Sequence, residues 1–84
     1  MRIYDLQPND AKSFYGKAVV WNTGNNTLLY SYNTLVCGIN ADGEFFRTWS
    51  GYSRTTMRHI NAFIKLFNID GGGKAWWDSL PVER

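Results

Sequence analysis

The stretch "TLLYSYNTLVCGI", residues 27–39, decides the fold. Aromatic, β-branched and leucine side chains alternate along it with small polar ones, and it reads as one long strand. Tyr30, Tyr32, Thr34 and Val36 would share one face, with Leu29, Ser31, Asn33, Leu35 and Cys37 on the other. Turn signals flank it on both sides. "NTGNN" (22–26) and "NADG" (40–43) are rich in Gly and Asn, which tolerate positive φ. Beyond them lie "SFYGKAVVW" (13–21), with Gly16 marking a bulge or close approach, and "EFFRTWSGY" (44–52). The three runs together predict a three-stranded antiparallel β-meander.

Upstream, "MRIYDLQPNDAK" opens on a short apolar–polar alternation. It then reaches Pro8-Asn9-Asp10, a turn that can cap one helical turn. Downstream the period changes. Met57, Ile60, Ile64 and Phe67 recur at three and four residues, with Phe63 widening the stripe. This predicts an amphipathic helix from about 54 to 68, capped by Ser53 or Thr55. It must end before Gly71-Gly72-Gly73. That hinge leads to "KAWWDSL", a short helical turn closed by Pro81. The expected fold is α+β: the meander, one helix packed on a face, and a short C-terminal helical arm. Residues 1–70 form the domain and 71–84 the Gly-hinged arm.

A chain of 84 residues has room for one domain and buries only about 60–65% of its unfolded surface. Aromatic residues make up 17% of it, including four Trp and five Tyr. So many rings overfill a small core, and some must line a groove, pocket or subunit contact. The lone Cys37, in an apolar run, reads as a buried inert thiol. One His and one Cys give no metal-ligating set, and no cofactor is expected. No signal peptide or membrane-spanning run is read, so the expectation is a soluble, cytoplasmic protein.

The formal net charge is only +2. Its placement is more telling, because between Phe45 and Ile69 the charged residues are Arg47, Arg54, Arg58 and Lys65, with no acid. Within that segment, "GYSRTTMRHINAF" (51–63) sets hydroxyls and arginines at a helix start. One reading is a capped helix with a solvated basic face. The other is an anion site made by unpaired N–H groups, hydroxyls and guanidiniums. Lys17, Tyr32, Asn33, Ser53, Arg54, Thr55, Thr56, Arg58 and His59 are the candidate ligand-binding residues. His59 has a second reading as a hydrogen-bonded histidine between sheet and helix. Tyr15, Tyr30, Tyr32, Trp49 and Tyr52 either pack under the helix or stack bases beside the cations. Trp76 and Trp77 are candidate partner contacts, docking on their own sheet or on another subunit. No paired acids or complete nucleophile–base set stand out, so catalysis is not expected.

"SFYGKA" (13–18), "SYNT" (31–34) and "YSRTTMRHINAF" (52–63) together resemble a family of small uncharacterised proteins carried by bacteriophages and mobile elements. The shared pattern is S-F-Y-G-K-A, S-Y-[DN]-T, then Y-S-x-T-T-x-R-H-I-x-x-F. The resemblance puts weight on Ser13, Tyr15, Gly16, Lys17, Ser31, Tyr32, Asn33, Thr34, Ser53, Thr55, Thr56, Arg58 and His59. It implies a setting, an infected bacterial cell, in which small phage proteins often counter host defence by binding. A homo-oligomer holding a phosphate-bearing nucleotide signal is one expectation. A protein–protein inhibitor of a host defence complex, such as a CRISPR effector, is another. A nucleic-acid-binding module is the third.

Overall fold

The two ends of the 27–39 run pair with each other. In the computed structural model, which describes residues 2–6, 14 and 16–83, the chain turns back at Tyr32-Asn33. Both residues have positive φ, 51° and 67°, as a tight two-residue hairpin turn requires. The run is therefore two strands, and the sheet is five-stranded rather than the expected three-stranded meander. Its strands are β1 (Arg2–Asp5), β2 (Ala18–Asn22), β3 (Thr27–Ser31), β4 (Thr34–Ile39) and β5 (Phe45–Arg47). They lie in sequence order and every neighbouring pair is antiparallel. The opening "RIYD" supplies the extra edge strand β1. The flanking strands are shorter than 13–21 and 44–52, beginning at Ala18 and ending at Arg47. The turn expected at Pro8-Asn9-Asp10, and the motif residues Ser13 and Tyr15, lie outside the described residues.

Register assigns the faces, because paired residues point the same way. Val20, Leu29, Cys37 and Arg47 form one row on the inner face, and Ala18 and Ser31 belong to the next. A bulge at Leu29/Tyr30 sets Val36 against the core as well. Helix α1 (Arg54–Leu66) covers this inner face. Met57, Ile60, Phe63 and Ile64 pack into the cluster that holds Val20, Leu29, Val36 and Cys37. The outer face carries Ile3, Trp21, Leu28, Gly38 and Phe46 in one row, and Asp5, Val19, Tyr30 and Leu35 in the next. None of these belongs to the buried cluster.

Ser53 caps α1: its Oγ accepts from the Thr56 N–H at 3.0 Å. The helix ends at Leu66 with Phe67 as its C-cap, ahead of the glycines as expected. Asn68 adopts φ 57°. Its N–H donates to the Lys65 carbonyl while the Ile69 N–H donates to that of Ile64, the Schellman arrangement.

The C-terminal segment folds back as α2 (Lys74–Ser79). Trp77 is fully buried in the core of its own chain. Its indole N–H donates to the Gly51 carbonyl at 2.8 Å. A side chain at Gly51 would meet the Trp49 ring at 2.6 Å, so this corner needs a glycine. Arg47 closes the join. Its guanidinium donates to the carbonyls of Trp49, Ser50, Trp77 and Leu80, and lies 4.4 Å from the Trp77 ring centroid. Beyond α2, Val82 bridges to Arg47 along the edge of β5.

Candidate functional site

The candidate residues divide between the helix start and the outer sheet face. At the helix start, most polar groups are engaged within the protein. The Ser53 hydroxyl holds the cap. Thr56 and His59 are buried. The Ser31 hydroxyl shares one hydrogen bond with Thr56 Oγ1 at 3.1 Å and another with His59 Nδ1 at 2.8 Å. This small network satisfies polar groups that β3 and α1 would otherwise bury unpaired. Burial pushes the His59 pKa down, and the neighbouring Arg58 charge adds to the effect. Arg54, Thr55 and Arg58 remain exposed. The Arg58 guanidinium lies 5.4 Å from the centroid of Phe14.

Ser31 and His59 have the contact of a nucleophile–base pair. Both are sealed between the helix and the sheet, however, and the hydroxyl is shared with Thr56. Cys37 is equally enclosed, and burial pushes its thiol pKa far up, so it stays protonated. Among the described residues no group of His, Cys, Asp and Glu is placed to hold a metal ion.

Lys17, Tyr32 and Asn33 come together elsewhere. With Gly16, Ile3, Val19, Trp21 and Tyr30 they line a groove of about 630 Å³ on the outer sheet face. The Lys17 ammonium lies 5.5 Å from the Tyr32 ring centroid. Trp21 and Tyr30, on the adjacent strands β2 and β3, are 5.3 Å apart and tilted by 43°. Tyr32 is 48% exposed and Ile3 53%. Among the described lining residues Lys17 is the one cation and there is no acid. Asp5 shares the outer face, opposite Val19, just outside the lining.

Tyr32 links the two regions, because its ring also lies 5.6 Å from buried His59. The sequence reading does not single out Trp21, Val19 and Ile3, which line the groove, and leaves Tyr30 among the general aromatics. Alternation along β2 puts Val19 and Trp21 on one face. That face is recognised as open only once the hairpin register is known. Trp76 is half-buried against Phe45, ring centroids 5.3 Å apart, and Trp77 belongs to the core.

The chain belongs to a family of unknown function, DUF8033. The match covers residues 4–79, from within β1 to the end of α2. The glycine hinge and both arm tryptophans therefore fall inside the family's span. No curated protein and no solved structure matches the chain. Among the described residues no helix is long and apolar enough to cross a membrane.

Proposed function

We propose that the protein binds a phosphate-bearing nucleotide in the outer-face groove, without transforming it. The observation that carries this reading is the lining: Trp21, Tyr30 and Tyr32 offer ring faces, Lys17 offers a cation, and no described lining residue is acidic. A base stacked on an aromatic side chain gains about 1–3 kcal/mol. Lys17, already beside Tyr32, is placed to take the phosphate. The positively charged helix start, with Ser53, Thr56 and His59 engaged internally, gives way to the groove as the centre of the reading. In the phage setting suggested by the motifs, the role would be sequestration of a nucleotide signal; that setting rests on the motif resemblance.

Isothermal titration with nucleoside monophosphates, cyclic nucleotides and ADP-ribose tests the reading. Saturable heat with at least one of them, abolished by Lys17→Glu in a folded variant, is expected. No heat with any phosphorylated ligand would overturn it.

Inhibition of a host defence complex is the second reading, favoured by exposed Ile3. Scale weighs against it on this face. Five strands, each about 4.8 Å wide and averaging roughly 15 Å long, give a projected patch of about 360 Å². Even doubled for side-chain relief, that falls short of the ~800 Å² per partner of a stable protein interface.

A further inference from the structure

The outer face extends past the groove. The row Ile3–Trp21–Leu28–Gly38–Phe46 crosses all five strands. Gly38 lets the row stay flat. A Cβ there would lie 2.6 Å from the Phe46 ring and 2.9 Å from Leu28, so the phenyl ring lies across the glycine against the leucine. From β2 to β5 the row runs about 14 Å, several times the ~3.4 Å rise of a stacked nucleotide.

We infer that the natural ligand of this face is single-stranded nucleic acid laid across the strands, an inference that rests on the nucleotide reading above. Three observations favour a strand over a free nucleotide. Among the described residues the groove is an open trough on a sheet, whereas small-ligand sites enclose most of their ligand. It offers one lining cation, so charge contributes little and the aromatic faces, which a strand can engage with more than one base, carry the affinity. The apolar row continues beyond the groove, and affinity can accumulate there base by base. In this arrangement Trp21 and Tyr30 stack one base, Tyr32 stacks its neighbour, and Lys17 meets the phosphate between them. Asp5, at the edge of the same face, opposes the backbone.

Fluorescence anisotropy with labelled oligo(dT) and oligo(rU) of two, six and twelve nucleotides, alongside TMP and UMP competitors, tests the inference. Affinity should rise from the dimer to the hexamer and level off once the face is spanned. The stronger series identifies DNA or RNA as the ligand. Trp21→Ala should weaken hexamer binding about 5- to 150-fold. Lys17→Ala should flatten the plot of log affinity against log salt by about 0.7, a change that lost structure alone would not produce. Asp5→Asn should tighten binding. If Trp21→Ala fails to fold, the exposed Lys17→Ala and Asp5→Asn variants still decide. Monophosphates binding as tightly as the hexamer would overturn the strand while leaving the nucleotide reading standing. Binding of neither would overturn both.

Discussion

Arg47 is a buried cation held by carbonyl oxygens and an indole face. Its planar fork reaches Trp49 and Ser50 on one side and Trp77 and Leu80 on the other. Lysine carries the charge but lacks the fork. Arg47→Lys should therefore strand buried carbonyls and cost at least about 2 kcal/mol in urea unfolding. Trp77 emission should shift to the red as the arm loosens. An unchanged midpoint would show the clasp to be dispensable. His59 gives a pH-dependent test. Its folded pKa lies below the unfolded value of about 6.5, so as pH falls the unfolded chain takes the proton first. The His59 contribution is complete above pH 6.5 and declines as pH drops through the folded pKa. The midpoint gap between wild type and His59→Gln should narrow from pH 7.5 to pH 5. A constant gap would mean that the ring does not titrate differently on folding.

The elements were legible in unequal degree. Helix α1 announced itself through its stripe and cap, because a 3.6-residue period over thirteen residues has few imitators. Ile60, fully buried at the centre of that stripe, should cost about 2–5 kcal/mol when cut to alanine. The Tyr32-Asn33 turn was hidden. It contains no glycine, and β-forming residues flank it on both sides, so the alternation runs through it unbroken in the sequence. The structure makes a specific demand there. Asn33 holds φ 67°, where a β-branched side chain is strained. Asn33→Val should cost about 1–2 kcal/mol, and Asn33→Gly should stay within about 0.5 kcal/mol of wild type. Equal stability of the two variants would contradict the turn. Strand β1 was missed for another reason: four residues are too few to establish a period.

At the scale of the molecule, one layer of helix covers one face of the sheet, and among the described residues no element covers the other. The sequence groups Lys17, Tyr32 and Asn33 with the helix start, whereas the structure gathers them on the outer sheet face. Their meeting with Trp21 and Tyr30 depends on cross-strand register, which no local pattern encodes. The acid-free segment from 45 to 69 also proved divided. Arg47 turns into the core, while Arg54, Arg58 and Lys65 are exposed on α1 and do not line the groove. A two-dimensional amide correlation spectrum, recorded while a nucleoside monophosphate is titrated in, tests the groove most directly. Shifts should concentrate at Lys17, Trp21, Tyr30, Tyr32 and Asn33 and leave Arg54 and Thr55 unmoved. Shifts confined to the helix start, or a spectrum that never changes, would contradict the account.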